Sequence, residues 1–156
     1  MITGLNVRTA TASDLDTLAQ LRTQMDAEDG VAAPDGFRDH FIRWFQRHGD
    51  RFTVLVAEHD HRIVGTIWLE RVERVPRPSE ICPSAVGYVT FMFVTEAYRN
   101  RGVGTAMLNR LRLEARDEGC EVLVVWPSDR SVPLYVRNGF ARPPGLLELR
   151  LPRRHG

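Results

Sequence analysis

The sixteen residues from Phe91 to Ala106, FMFVTEAYRNRGVGTA, constrain this chain more than any other stretch. An apolar strand runs into a short turn. An Arg99-x-x-Gly102-x-Gly104 run then opens an amphipathic helix in which Val103, Met107, Leu111 and Ala115 step by four. The first turn of a helix leaves about four backbone N–H groups without intrahelical acceptors, and the aligned peptide dipoles make that end positive. Glycine lets an anion approach the main chain, because no Cβ stands in the way. Arg99 and Arg101 add fixed charge suited to phosphate oxygens. Arg99, Asn100, Arg101, Gly102, Val103, Gly104 and Thr105 therefore read as a cradle for a phosphorylated ligand.

Two kinds of glycine-rich phosphate site are excluded. A P-loop requires Gly-Lys followed by Ser or Thr, and the chain has no Gly-Lys pair. A dinucleotide site requires a third glycine, where this chain has Met107, and an acid at the end of the following strand. That strand ends at Val125-Trp126-Pro127, without one.

The coenzyme A site remains. Arg99-x-x-Gly102-x-Gly104 resembles the pyrophosphate-binding motif of the Gcn5-related N-acetyltransferase (GNAT) superfamily. Ser128-Asp129-Arg130-Ser131-Val132-Pro133-Leu134-Tyr135-Val136-Arg137-Asn138-Gly139-Phe140 resembles the family's later segment, a helix that carries a tyrosine and ends in Gly-Phe. The two blocks stand in the family's order and spacing, and the order of elements agrees across nearly the whole chain.

The resemblance implies a mixed α/β (α+β) fold with a mostly antiparallel central sheet and a splayed parallel pair, ordered β-α-α-β-β-β-α-β-α-β. It implies one N-acetyltransferase domain over residues 1–156, with a coenzyme-binding core at about 86–140. Acetyl-CoA would be the acyl donor and an amine the acceptor. The backbone of Phe93 and Val94 would pair with the pantetheine arm, and the Val94 N–H would meet the oxyanion. Ser128, Ser131 and Tyr135 would complete the coenzyme contacts, and Tyr135 would serve the leaving thiolate as acid. Ser128 stands where many relatives carry asparagine and reaches less far. A bulge near Phe93 would open the sheet. An acyl-CoA sensor without turnover, or an enzyme for another acyl group, is the rival reading.

The chemistry also asks for a proton acceptor, since an alkyl ammonium has a pKa near about 10.4. Glu70 is the candidate base, and a water wire is the alternative. The acidic run Asp26, Glu28 and Asp29 at the end of the first helix opposes the helix dipole and is a candidate attractor of a cationic acceptor. Phe41, Trp44 and Phe45 read chiefly as core. His59 and His61 flank Asp60 in a tight turn and diverge, so no metal is expected.

The remaining elements follow from pattern. A first strand covers 4–9, Ser13 caps a helix through Ser13-x-x-Asp16, and a second helix carries Phe37, Phe41, Trp44 and Phe45. Strands 52–57 and 61–72 form a hairpin, and Pro76, Pro78 and Pro83 mark a loop. Val122 to Trp126 reads as a buried parallel strand, Asp129 to Asn138 as a helix stopped by Gly139, and Leu146 to Leu151 as a closing strand. At 156 residues and 43% hydrophobic, the chain suits one core. Lys+Arg 21 against Asp+Glu 20 gives a net charge of +1, which is no footprint for nucleic acid. There is no signal-peptide pattern and no membrane-length apolar run, and Cys82 and Cys120 lie far apart. A cytoplasmic protein with reduced thiols is expected, with homodimerisation common for such a fold.

Overall fold

Alternating apolar residues between Phe52 and Val94 build the middle of a five-stranded sheet. In the computed structural model, which describes residues 2–79 and 84–152, the strands are β1 Asn6–Thr9, β2 Phe52–His59, β3 Arg62–Glu73, β4 Ala85–Val94 and β5 Cys120–Val125. They lie in the order β1-β2-β3-β4-β5, antiparallel up to β4, with β4 and β5 parallel. Helices α1 Leu15–Glu28 and α2 Phe37–His48 connect β1 to β2, and α3 Val103–Asp117 makes the crossover that a parallel pair requires. Cys82, Pro83 and the basic end Arg153-Arg154-His155 lie outside the described residues.

The chain divides into two units, Met1–Trp126 and Pro127–Gly156. In the first, the β2–β3 connection is the tight hairpin expected: Asp60 and His61 both take positive φ, 48° and 60°, as a two-residue turn matched to strand twist requires. One sheet face packs α1 and α2 around Trp68, whose ring meets Phe45 at 5.5 Å, Phe52 at 5.6 Å and Phe91 at 5.8 Å. The expected core role of Phe41 holds, with its ring 6.0 Å from Trp68. The other face carries α3, whose buried stripe is Val103, Met107, Leu108, Leu111 and Ala115.

Three local expectations are corrected here. The box is built on Thr11 and Asp14 rather than on Ser13 and Asp16, and it opens the 3-10 turn Ala12–Asp14 that leads into α1. Asp14 Oδ2 accepts the Thr11 N–H at 2.7 Å, and Arg8 holds the same oxygen at 2.8 Å. The buried carboxylate with an arginine partner wins over the exposed Ser13. β5 is parallel but only partly buried: it stands at one end of the strand order with β4 as its ladder partner, and Val122 is exposed. The bulge falls at Thr90 rather than near Phe93, since Trp68 pairs with Phe91 while Leu69 pairs with Val89.

In the second unit, α4 spans Val132–Arg137. It starts later than Asp129 because the Ser128 carbonyl first accepts the N–H groups of Ser131 and Val132 in a turn. The stop at Gly139 is as expected: φ is 86°, Gly139 N–H bonds the Val136 carbonyl, and Phe140 N–H bonds the Tyr135 carbonyl. Leu146–Leu151 forms no strand. Its Leu147, Leu149 and Leu151 alternate as strand residues do, yet they stand exposed, and a strand exists only through a partner's ladder.

Candidate active site

The open edge of β4 is the centre of the site. β4 pairs with β5 only from Ala85↔Cys120 to Val89↔Val125, yet β4 itself continues to Val94. On its other side the ladder with β3 runs on to Gly65↔Val94. The Thr95 N–H bonds the Val64 carbonyl at 2.9 Å, so it points toward β3. Backbone direction alternates along a strand, which turns the Val94 N–H toward the edge where β5 has left. The Thr90 bulge lies where the parallel ladder ends, and it swaps the faces: Val89 joins Leu69, while Phe91 and Phe93 join Trp68. The two phenylalanines therefore pack under α1 and α2 as core.

Beyond Val94 the chain makes a 3-10 turn at Glu96–Tyr98 and reaches the glycine run. Asn100 and Gly102 both take left-handed conformations, φ 57° and 86°, and Gly102 caps α3. The first intrahelical bond runs from Ala106 N–H to the Gly102 carbonyl. The amides of Val103 and Gly104 thus precede the ladder at the positive end of a fifteen-residue helix. Arg101 stays exposed, its guanidinium over the Tyr98 ring at 5.5 Å and bonded to the Ala97 carbonyl at 3.3 Å.

Arg99 is engaged inside the protein. Its Nε donates to the Val94 carbonyl at 2.9 Å, its terminal nitrogen pairs with Glu28, and its guanidinium lies 5.4 Å from the Phe93 ring centre. It braces the turn against β4 and the end of α1. Glu28, which the sequence indicated only as part of an acidic helix end, is thereby the ion-pair partner of Arg99. Asp26, its neighbour, pairs with Arg22 at 3.1 Å.

Glu70 is not beside Val94. It stands opposite Tyr88, toward the other end of the same strand pair, with Oε1 held by Arg51. Tyr88 meets Trp126 edge to face at 5.5 Å. Within the second unit, Tyr135 is buried at 5% exposure, packs on Phe140 with ring centres 5.2 Å apart, and its phenol is pushed up to about 12 by burial. The Ser131 hydroxyl donates to the Ser128 carbonyl at 2.9 Å and the two hydroxyls meet at 3.1 Å, so both serine side chains serve the turn before α4. Burial also raises the Cys120 thiol, which disfavours a thiolate there. Among the described residues no group of His, Cys, Asp or Glu could hold a metal, and no helix is long and apolar enough to cross a membrane.

Residues 18–140 match the model of the acetyltransferase (GNAT) family. The chain belongs to the GNAT family. It is similar to glucosamine 6-phosphate N-acetyltransferase of Trypanosoma brucei brucei, with 34% identity over 95 residues. That match spans 61% of this chain and 62% of the relative, less than two thirds of its length. An acetyltransferase of Trypanosoma brucei is 25% identical with a TM-score of 0.74, covering 94% of this chain and 99% of that one. A predicted acetyltransferase of Clostridium acetobutylicum, solved with acetyl-CoA, shares the fold at 24% identity and a TM-score of 0.76, covering 94% and 96%. The GNAT fold accounts for the sheet whose parallel pair parts after Val89.

Proposed function

We propose that this GNAT chain is a single-domain, acetyl-CoA-dependent N-acetyltransferase that moves an acetyl group to the primary amine of a small molecule or peptide by direct attack in a ternary complex. The observation that carries the reading is one continuous run: a β4 edge left open beyond Val89, followed by left-handed Gly102 and the positive start of α3. An extended arm can pair with such an edge as an added strand while its phosphates sit on the helix amides.

The amine nitrogen, once neutral, attacks the thioester carbonyl and forms the C–N bond. Negative charge then gathers on the carbonyl oxygen, and an N–H directed at the open edge, as at Val94, stabilises it. Donors fixed in advance are worth roughly 3–4 kcal/mol in such steps. The C–S bond breaks, the amine proton leaves to Glu70 or through water, and coenzyme A departs as the thiolate, which takes a proton from solvent. For Tyr135, a phenol near 12 is a donor throughout the neutral range. Full transfer to a thiolate whose acid has a pKa of about 8.5 is uphill by roughly 5 kcal/mol. Its role is therefore a hydrogen bond that strengthens as charge builds on sulfur.

The test is coenzyme A release from acetyl-CoA across a panel of amines, with Tyr135→Phe run in parallel. Amine-dependent release, reduced at least roughly tenfold in Tyr135→Phe, is expected for a positioned acid. Acetyl-CoA binding without turnover of any amine would instead favour a sensor or another acyl group.

A further inference from the structure

We infer that His59 is a positioning residue for coenzyme binding: through Tyr98 it holds the Arg101 guanidinium ready for a phosphate. The inference rests on the acetyl-CoA reading above. The two arginines of the glycine-rich turn differ in what they hold. Arg99 pairs with Glu28 and donates to the Val94 carbonyl. Arg101 stays exposed and pairs with no carboxylate among the described residues. It stands one residue before Gly102, which caps α3, so its charge adds to the positive end of that helix.

The Arg101 guanidinium lies 5.5 Å from the Tyr98 ring centre and donates to the Ala97 carbonyl at 3.3 Å. The Tyr98 ring is in turn held from the hairpin. β2 and β3 pair on to His59↔Arg62, past Gly65↔Val94 where β4 ends, so the hairpin tip reaches the turn Glu96–Tyr98. There His59 Nδ1 meets the Tyr98 hydroxyl at 3.3 Å, with the rings 5.5 Å apart at 63°. Asp60 Oδ2 lies 3.5 Å from the same nitrogen. An acceptor there favours the Nδ1–H tautomer, so the imidazole donates and the phenol oxygen accepts.

His59, Tyr98 and Arg101 thus form a chain of contacts from the β2–β3 hairpin to the start of α3. An arginine side chain that nothing holds loses much rotamer freedom when a ligand fixes it. A guanidinium already placed over a ring loses less, and the difference appears as affinity. The hydroxyl bond matters because it fixes the ring, and the ring matters because it carries the charge.

The experiment is a calorimetric double-mutant cycle on the full chain, with coenzyme A as the probe. His59→Leu should weaken binding roughly fivefold, the size of one hydrogen bond. Tyr98→Phe keeps the ring, removes only the hydroxyl and should weaken binding by a similar factor; it carries the cycle should His59→Leu fail to fold. In an Arg101→Ala background His59→Leu should cost less than about twofold, because the charge it positions is gone. His59→Asn, whose amide N–H can stand near the place of Nδ1–H, should restore most of the affinity. An equal loss with and without Arg101, or wild-type affinity in Tyr98→Phe, overturns the inference and leaves the acetyl-CoA reading standing. Failure of the wild type to bind coenzyme A takes down that reading and the inference with it.

Discussion

Arg99 donates from Nε to the carbonyl of Val94 at 2.9 Å, tying the glycine-rich turn to the last residue of β4. The same guanidinium pairs with Glu28 and lies over the Phe93 ring. A planar fork can serve a carbonyl, a carboxylate and a ring face at once, whereas an ammonium on a flexible stem cannot. Arg99→Lys should therefore weaken acetyl-CoA binding nearly as much as Arg99→Ala, by roughly three- to tenfold, as expected for loss of one or two hydrogen bonds. Calorimetric titration decides it. Unchanged affinity in Arg99→Lys would mean that charge alone suffices.

Gly102 and Gly4 both hold positive φ, 86° and 80°, but only Gly102 caps the helix of the proposed cradle. A Cβ in this conformation costs roughly 1–2 kcal/mol. Each Ala variant should lower Tm by about 2–8 °C. Only Gly102→Ala should also weaken coenzyme binding. Equal coenzyme affinity in the two variants would detach Gly102 from the ligand.

Burial raises the Tyr135 phenol from its ordinary 10 to about 12 in the folded chain. The folded state thus holds the proton more tightly than the unfolded one. The associated stability is intact below pH 10 and is lost as pH rises from 10 toward 12. Denaturant titrations in that window should show stability falling, and Tyr135→Phe should flatten the fall. An identical alkaline limb in both proteins would count against the assignment.

Asp14 is governed by the opposite sign. Arg8 first, and then the Thr11 N–H, hold its carboxyl below the ordinary 3.8. The pair contributes stability above that value, and the contribution is lost as pH falls through the lowered folded value. Asp14→Asn should cost about 1–3 kcal/mol at neutral pH, because the guanidinium of Arg8 loses a charged partner. It should also blunt acid unfolding. A variant as stable as the wild type at pH 7 would assign the anchoring of Arg8 to Glu58 alone, whose carboxylate bonds its Nε at 2.9 Å.

A few adjacent residues enforce the local part of this fold. The strand, left-handed turn and helix start from Phe91 to Thr105 follow from glycine conformations and helix-end amides. The Asp60-His61 hairpin and the Gly139 stop are equally local, since each is closed by hydrogen bonds or dihedrals within five or six residues. Tertiary structure decided everything that needs a distant partner. Thr90 became the bulge only because β3 fixed the register on both sides of it. The open edge of β4 exists because β5 parts from it after Val89. Arg99 reached Glu28, 71 residues away, and Glu70 met Arg51 and Tyr88 rather than Val94. Leu146–Leu151 has the alternation of a strand without forming one, because alternation is a property of the chain and a ladder is a property of two chains of hydrogen-bonding groups brought together.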